Sequence, residues 1–516
     1  MAEAASAQHD AALRKVALVL LAVFWSITKR VLGAAALMLL SARASEYCRA
    51  RLREPGRPKT CVIVVLGDFG RSPRMQQHAL AIADAGLDVV VVAHGGSDPP
   101  RRVRENPSIA VLPLRAFVVP GWLPTLVALP FKAASQAASL LFTIGVRAPH
   151  ADTILLQNPP AIPTLAVATL VCALRGSRLV IDWHNFGYTV LRVSMLARRG
   201  QPTSGRLGAG GRLLIGVAEA FERICCRGAT AHLCVSEAMA RELRDNWRVR
   251  ATVLYDRPSA AFSPLDLKSR HLVLCRLQRD LLARVHPPLP DELGGCLADG
   301  RSIATEIVGS PAQVALRADR PAIVLTGTSW GADEDYSILL NALLELDAFP
   351  RKCADGSERP RVLVLVTGKG PMRAQFEAHV LTLCFKYVHI GTAWLAADDY
   401  PAVLACADVG VCLHESTSQL DLPMKVVDLF GAGVPVCALE YGCISELVRE
   451  GQTGELFSDA AGLALKLDLL LEGFPARSEQ LDAMRTHVAE WRALGWEETW
   501  REVAAPVVLG RGHGQR

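Results

Sequence analysis

The chain has 516 residues, of which 51% are hydrophobic and 21% are charged, and its 56 Lys and Arg residues outnumber its 51 Asp and Glu residues only slightly. This hydrophobicity excludes global disorder, and the small net charge of +5 is not typical of a nucleic-acid-binding protein. The 14 cysteines form no CxxC pattern, so we expect no zinc site and reduced cysteines in a cytosolic compartment.

The first apolar segment is Val16–Ala42, which Lys29 and Arg30 divide into two halves. Neither half reaches the length that a helix needs to cross a bilayer. We expect an uncleaved anchor, either a tilted span or an interfacial helix whose two basic side chains extend to the headgroups. Basic residues are in excess after the segment, which predicts that the body of the protein lies in the cytosol. A buried amphipathic helix is the alternative.

Residues 1–58 thus comprise the anchor and a polar linker, and residues 59–263 alternate apolar β-branched runs with helical patterns. The runs predicted to be buried parallel strands are Cys61–Leu66, Leu87–Ala93, Ile154–Leu156, Leu179–Asp182, Ala231–Val235 and Thr252–Tyr255. The predicted helices between them are Met75–Ala85, Pro163–Leu174 and 213–227. This alternation indicates a doubly wound α/β domain.

Residues 264–320 lose the alternation, and we predict an irregular linker or insertion there. Residues 321–472 predict a second α/β domain, with strands at Ala322–Thr326, Arg361–Thr367, Tyr387–Ile390, Val409–Leu413 and Val434–Ala438. The tail, residues 473–516, contains three tryptophans in a helical pattern and is predicted to pack back across the domains.

Two segments at strand ends of the first domain carry residues suited to chemistry. The glycines of Gly67–Met75 (GDFGRSPRM) permit close backbone approach to a ligand, and the helix that follows attracts anions at its N-terminus; a plain strand–helix turn is the alternative. Asp182 and His184 end another strand, where a carboxylate beside an imidazole suits general-base catalysis. Alternatively, Asp182 caps a helix and His184 is a core histidine.

The second domain offers cations at comparable places. Lys369 lies between two glycines after a strand and suits phosphate binding, although an ordinary turn with an exposed lysine would look the same. Lys425 and Asp428 lie three residues apart on one predicted helix face, where they suit a diphosphate and ribose hydroxyls, or form a surface ion pair. We interpret the acidic groups Asp333–Asp335 and Asp398–Asp399 as helix N-terminal residues and not as metal ligands.

Taken together, these motifs resemble those of the chitobiosyldiphosphodolichol β-mannosyltransferases of the dolichol-linked oligosaccharide pathway, over most of residues 61–470. The segments that carry the resemblance are GDFGRSPRM, LLQNPP (Leu155–Pro160), LVIDWHNFGY, ADEDYSILL (Ala332–Leu340), TGKGP (Thr367–Pro371), ADVGVCLH (Ala407–His414) and LDLPMKVVDLFG. The resemblance implies a GT-B fold, in which two Rossmann-like domains face a cleft, together with an N-terminal membrane anchor helix.

It also implies transfer of mannose from GDP-mannose to GlcNAc2 diphosphate dolichol, with inversion and a β-1,4 linkage, at the cytosolic face of the endoplasmic reticulum. Membrane lipid and other early mannosyltransferases of the pathway are expected partners, and neither a metal, a cofactor nor a nucleic acid is expected. The alternatives are another lipid-linked-sugar glycosyltransferase with a different nucleotide-sugar donor, or a non-catalytic membrane-anchored subunit.

Under this resemblance Asp182 is the expected catalytic base, with His184 as the second candidate. The expected donor-binding residues are Gly70, Arg71, Ser329, Lys369, Lys425 and Asp428. The expected acceptor side of the cleft comprises Asn158, Asn185, His414 and Asp421. The chain departs from the family at Gln419, where a glycine is usual. The apolar residues 116–146 are predicted to face lipid, with a buried helix pair as the alternative.

Overall fold

The computed structural model of the protein describes residues 59–114, 125–198, 200, 205–290, 293, 300–331, 334–351 and 358–510. The predicted anchor, Val16–Ala42, lies outside these residues. Within the described ranges, no helix is both long and apolar enough to cross a membrane.

The first domain is built on a seven-stranded parallel sheet in the order β3-β2-β1-β4-β5-β6-β7. Its strands are β1 (Thr60–Asp68), β2 (Asp88–His94), β3 (Ile109–Leu114), β4 (Thr153–Asn158), β5 (Arg178–Trp183), β6 (Ala231–Cys234) and β7 (Thr252–Val253). All six predicted strands are present. The edge strand β3 was not predicted, because Pro113 and its exposed residues disguise it.

Seven helices belong to this domain in the part that the structure describes. They are α1 (Pro73–Asp84), α2 (Arg101–Arg104), α3 (Thr125–Phe142), α4 (Thr164–Arg175), α5 (Gly187–Ala197), α6 (Ala209–Cys225) and α7 (Glu237–Trp247). Successive strand residues point to opposite faces, so Val62 and Val64 pack with α3, α4 and α7, whereas Cys61 and Ile63 pack with α1. Burial on both faces explains the continuous apolar runs of the sequence.

The second domain repeats this plan in the order β16-β15-β14-β11-β12-β13-β8, with only β8 antiparallel. Its strands are β8 (Val285–His286), β11 (Ala322–Thr328), β12 (Val362–Gly368), β13 (Val388–Ala393), β14 (Val409–Cys412), β15 (Val436–Leu439) and β16 (Gly454–Phe457). Its helices are α9 (Tyr336–Ala348), α10 (Arg373–Val380), α11 (Tyr400–Leu404), α12 (Met424–Gly431) and α13 (Ala460–Leu470). The prediction of two doubly wound domains is therefore confirmed.

The stretch between the domains is more ordered than its sequence suggested. It holds helix α8 (Leu267–Leu282), and an antiparallel hairpin of β9 (Thr305–Val308) and β10 (Gln313–Leu316). The side chain of Asp266 caps α8, and the helix buries Leu274 and Leu281 in the core of the second domain. The prediction of an irregular linker is wrong here because α8 carries five charged side chains among its apolar ones, which obscures the helical period.

The chain ends by crossing from the second domain to the first. Helix α14 (Glu479–Ala493) brings Trp491 against Phe430 of α12. The residues that follow, α15 (Trp496–Thr499) to α16 (Ala505–Val508), then cover the first sheet, where Trp496 and Trp500 join the cluster of Ile63. The two domains are thus tied together by the tail as well as by the linker.

Candidate active site in the cleft between the domains

The loops at the carboxyl ends of the two sheets meet. Asn185, just after β5, donates to Asp421 Oδ1 at 2.8 Å, and Ser236, just after β6, donates to the carbonyl of Leu420 at 2.5 Å. Asp421 and Leu420 both belong to the loop between β14 and α12. Ligands of open α/β sheets bind at the carboxyl ends of the strands, so this junction is the candidate active site.

Asp182, at the end of β5, lies at the centre of a buried ionic network. Its two oxygens accept from Arg74 at 2.7 and 2.8 Å, and Arg74 also binds Asp256 at 2.9 Å. Although burial opposes ionisation of Asp182, the positive charge of Arg74 outweighs it, and the pKa of the carboxyl is held well below its usual range. A second histidine, His78, lies 3.3 Å from the same carboxylate.

The structure does not support the direct role predicted for Asp182 as the base that meets the acceptor. The carboxylate is fully buried, its hydrogen-bonding capacity is occupied, and its low pKa makes it a poor proton acceptor. Instead Asp182 Oδ2 lies 2.8 Å from His184 Nε2. This contact fixes the ring and favours a proton on Nε2, as in carboxylate–histidine pairs that activate hydroxyl nucleophiles.

His184 is the second predicted candidate and it is accessible. Its side chain is 22% exposed, and Nδ1 has no hydrogen-bond partner among the described residues. With Nε2 held by Asp182, Nδ1 is the ring nitrogen that can accept a proton. An imidazole with one nitrogen oriented and the other free can act as a general base.

Asn158 is predicted at the acceptor side of the cleft but is fully buried. Its amide donates to Glu222 Oε1 at 2.6 Å and to the carbonyl of Asn185 at 3.3 Å. Glu222, on α6, also accepts from the backbone of Gly187 at 3.0 Å. Asn158 therefore supports the loop that follows β5 and does not line the cleft.

The other three residues predicted on the acceptor side do come together. Asn185 binds Asp421, and His414 Nε2 lies 3.9 Å from the second oxygen of Asp421. The hydroxyl of Thr417 accepts from Asn185 at 3.1 Å. This cluster of polar side chains bridges the two domains. In the same loop Gln419 has φ +60°, a left-handed conformation that glycine adopts without strain.

Gly70 and Arg71 do not offer the ligand-binding groups that the sequence suggested. The backbone N–H of Gly70 donates to Asp68 Oδ1 at 3.0 Å, and a Cβ at Gly70 would lie 2.1 Å from the carbonyl of Ser97. Arg71 is exposed and bonds to Ser97. The glycine is needed for packing against the loop after β2, and its amide is already occupied.

The donor residues predicted at the ends of β11 and β12 are adjacent. These strands pair with Thr328 opposite Gly368, and a Cβ at Gly370 would lie 2.1 Å from the carbonyl of Ser329. Ser329 and Lys369 are both exposed. Lys369 has no hydrogen bond or ion pair with any described residue, so its ammonium group is free to bind an anion.

Lys425, at the start of α12, forms an ion pair with Glu334. Glu334 also accepts from the hydroxyl of Tyr336 at 2.9 Å and from that of Thr328 at 2.5 Å. Despite its burial, the charge of Lys425 and these hydrogen bonds lower the pKa of Glu334. Because Thr328 precedes Ser329, the network places Lys425 at the same edge as Ser329.

Asp428 lies one turn after Lys425 but makes no ion pair with it. The sequence alternative of a surface pair between these two residues is therefore wrong. Burial and the nearby charge of Asp256 raise the pKa of Asp428 from 3.8 to about 7. No described residue forms a hydrogen bond with its side chain, so the carboxyl remains available to ribose hydroxyls.

The roles of three residues at this site were missed. Arg74 was overlooked, and Glu334 was interpreted only as a helix N-terminal acid, because sequence spacing does not show a pair that spans 108 or 91 residues. Trp394 directly follows β13 and is 64% exposed. A tryptophan after a buried strand, next to the strand that ends at Lys369, is a signal that could have been read, since exposed aromatic rings at ligand edges bind planar groups.

The described residues contain no group of three or more His, Cys, Asp or Glu side chains that could hold a metal ion. Phosphate charge at this edge can be met by Lys369, Lys425 and backbone amides. The first domain thus supplies a buried carboxylate and an accessible imidazole, and the second domain supplies the exposed Lys369 and the partly buried Lys425. This arrangement suits group transfer from a phosphorylated donor.

Comparison with known proteins agrees with this geometry. Residues 69–255 match the family described as the glycosyl transferase 4-like domain, and residues 320–473 match glycosyl transferases group 1. The solved structure of WaaG, a glycosyltransferase involved in lipopolysaccharide biosynthesis, is similar with a TM-score of 0.53 at 13% identity, over 87% of this chain and 100% of that one. This likeness shows the two-domain GT-B fold.

Relatives are similar along nearly the whole chain. The UDP-glycosyltransferase TURAN of Arabidopsis thaliana is 40% identical, over 88% of this chain and 97% of its own. The human chitobiosyldiphosphodolichol beta-mannosyltransferase is 38% identical, over 87% of this chain and 92% of its own, and that of Mus musculus is 37% identical. The chain therefore belongs to the chitobiosyldiphosphodolichol β-mannosyltransferase family of glycosyltransferases.

Proposed function

We propose that the protein transfers mannose from GDP-mannose to the terminal sugar of GlcNAc2 diphosphate dolichol and forms a β-1,4 linkage with inversion. The observation that carries this proposal is the accessible imidazole of His184 on the first domain, whose Nε2 lies 2.8 Å from the buried Asp182, together with Lys369 at a strand end of the second domain, which pairs with no described residue. A base for a sugar hydroxyl and a cation for a leaving diphosphate stand on different domains, as transfer between two bound substrates requires.

Inversion at the anomeric carbon requires attack from the side opposite the leaving group. The acceptor 4-hydroxyl loses its proton to His184 Nδ1 as its oxygen bonds to the anomeric carbon of mannose. The bond from that carbon to the diphosphate breaks, and GDP leaves with the electron pair. Asp182 stays ionised beside Nε2 and stabilises the imidazolium that forms.

The negative charge that develops on the leaving GDP is stabilised by groups of the second domain. Lys369 supplies an ammonium that pairs with no described residue, and Lys425 can turn a remaining N–H from Glu334 toward the diphosphate. Asp428, protonated or ionised near neutral pH, is suited to the ribose hydroxyls. Because these cations can balance the charge, we propose that transfer requires no metal ion.

The identity of the donor nucleotide is the part of the proposal for which there is an alternative. The Arabidopsis relative is named a UDP-glycosyltransferase, whereas the human and mouse relatives are named mannosyltransferases. A glycosyltransferase with another nucleotide-sugar donor therefore remains the second candidate. Direct competition between GDP-mannose and UDP-sugars for the same site distinguishes the two.

A dolichol acceptor requires a membrane, and we propose that the protein acts at the cytosolic face of the endoplasmic reticulum membrane. The apolar segment Val16–Ala42 would anchor it there, and the basic residues after that segment favour a cytosolic body. Other early mannosyltransferases of the same pathway would then be neighbours on the same face.

The test is a transfer assay with purified full chain, radiolabelled GDP-mannose and a GlcNAc2 diphosphate lipid, with and without EDTA. We expect one mannose per acceptor, β-linked by β-mannosidase digestion, with no loss of rate in EDTA. UDP-glucose and UDP-GlcNAc in place of GDP-mannose serve as controls. Transfer from a UDP-sugar alone would favour the second candidate, and abolition by EDTA would contradict transfer without a metal.

A further inference from the structure

One face of helix α6 is apolar and exposed to solvent. Leu213, Val217 and Ile224 are 71, 57 and 66% exposed, and their spacing of four and seven residues places them on one side of the helix. Side chains this apolar are normally covered in a soluble domain. Among the described residues, nothing covers this face.

The surroundings of this face are strongly basic. Residues 187–228 contain seven arginines, no lysine, no aspartate and two glutamates. Both glutamates are engaged within the domain: Glu222 is buried and accepts backbone N–H groups, and Glu219 pairs with Arg223 at 3.3 Å. An exposed apolar stripe flanked by arginines is complementary to the interface of a bilayer that carries anionic lipid.

The opposite side of α6 leads directly to the active site. Glu222 and Leu213 are nine residues apart in sequence. At 3.6 residues per turn, this spacing places their side chains on opposite sides of the helix. The carboxylate of Glu222 accepts from Asn158 and from the backbone N–H groups of Gly187 and Tyr188. It thus fixes the loop that carries His184. A helix is about 10 Å across, so one helix separates the apolar face from the support of the catalytic loop.

We propose that α6 lies in the interface of an anionic bilayer and thereby holds the loop of His184 at the level where a lipid-linked sugar leaves the headgroups. The helices that pack against α6 expose apolar side chains as well, Leu170 on α4 and Val190 on α5. This inference rests on the proposed function for its substrate. It adds a second candidate surface to the one predicted to face lipid in residues 116–146.

The first experiment measures hydrogen exchange of residues 209–227 in the full chain. We expect slower exchange with vesicles of phosphatidylcholine and phosphatidylserine than with phosphatidylcholine alone, and no change when protein concentration rises without vesicles. Protection that depends on protein concentration alone would overturn the proposal and indicate a contact between two copies of this chain. Unchanged exchange with both vesicle types would also overturn it.

The second experiment compares two forms of the acceptor in a variant that combines Leu213→Gln, Val217→Gln and Ile224→Gln. Transfer to acceptor embedded in anionic vesicles is expected to fall about tenfold, because three interfacial apolar side chains are lost. Transfer to a water-soluble short-chain acceptor stays within about twofold, as α6 then has no bilayer to contact. The matched control replaces Ile307, Val308 and Leu316, exposed on the hairpin of the second domain, with Gln.

Equal losses on both acceptors would show that the face supports the fold or the chemistry, and would overturn the proposal. Equal losses in the control variant would show a general effect of polar substitution and have the same consequence. If the unaltered chain transfers to neither acceptor, the proposed function fails, while the hydrogen-exchange result still decides whether α6 meets a bilayer.

Discussion

The two domains share a sheet topology but use the carboxyl ends of their strands differently. In the first domain the polar side chains are buried and bound to each other, as in the network of Asp182, Arg74 and Asp256. In the second domain the corresponding strand ends present exposed groups, Ser329 and Lys369. Only His184 reaches the cleft from the network of the first domain.

This difference separates two tasks. A base must stand at one angle to one hydroxyl, and a rigid, desolvated support gives that precision. A diphosphate is a large, strongly charged group that exposed cations can bind while the domains move. The first domain therefore positions, and the second binds. Each of the following variants tests one side of that division.

The largest effect is expected for His184→Gln. Loss of the general base lowers kcat by about 10²–10⁴-fold, while the donor KM stays near its original value because the cations of the second domain are intact. Single-turnover transfer and GDP binding, measured on the same preparation, separate the two quantities.

The matched control is His414→Gln, which alters a histidine at the opposite edge of the cleft near Asp421. We expect a much smaller change in kcat there. A near-normal kcat in His184→Gln, or equal losses in both variants, would remove His184 from the role of base.

Arg74→Met tests the support beneath that base. It leaves Asp182 and Asp256 without their shared guanidinium, and an uncompensated buried charge costs about 3–5 kcal/mol of the free energy of unfolding. Urea unfolding measures it. Arg101→Met is the control, because Arg101 forms only an exposed pair with Glu105 and its loss costs about 0–1 kcal/mol. Similar stabilities for the two variants would contradict a structural role for the network.

Much of this division could be predicted from the sequence, and part could not. Buried strands such as Cys61–Leu66 are visible because an apolar run on both faces of a parallel sheet has its own pattern. The positions of His184 and Lys369 at strand ends could be predicted because strand ends converge on one edge, and their catalytic and binding roles stay predictions. The contact of Arg74 with Asp182 could not be predicted, because two residues 108 positions apart leave no local pattern in the sequence. Without that contact, the sequence favours Asp182 as the base itself and not as the residue that supports the base.

Lys369→Met tests the binding side. Removing one charge-assisted contact to a diphosphate is expected to raise the donor KM about tenfold. The stability is expected to stay unchanged because Lys369 pairs with no described residue.

Lys425→Met is the informative contrast. It is expected to raise the KM and also to lower stability, since it leaves Glu334 buried without its cation. Steady-state kinetics at varied donor concentration and thermal unfolding measure both, and an unchanged KM in Lys369→Met would contradict its assignment.

Trp394→Ala tests whether the exposed indole ring after β13 contacts the nucleobase of the donor. Loss of aromatic stacking is expected to weaken GDP binding by about fivefold, and Trp394→Phe is expected to retain most of the affinity. Calorimetric titration with GDP and with mannose 1-phosphate supplies the contrast, because only the former carries a base. An equal loss of affinity for both ligands would show that Trp394 does not contact the nucleobase.

Asp428→Asn is expected to change transfer least of these variants, and the size of its effect on stability depends on pH. The folded protein raises the pKa of Asp428 from 3.8 to about 7, so it favours the protonated carboxyl. The stability that the protonated group contributes is complete below pH 3.8 and is lost as pH rises to about 7. Asparagine cannot ionise, so the variant is expected to gain stability over the unaltered chain across this interval and to hold the gain above it. Thermal unfolding at pH 4.5 and 7.5 is expected to show a larger Tm advantage at the higher pH, equivalent to about 3 kcal/mol, because one pKa unit corresponds to about 1.4 kcal/mol. An advantage that is equal at both values would mean that the carboxyl of Asp428 is solvated, and its assignment to the ribose edge of a desolvated donor site would then be lost.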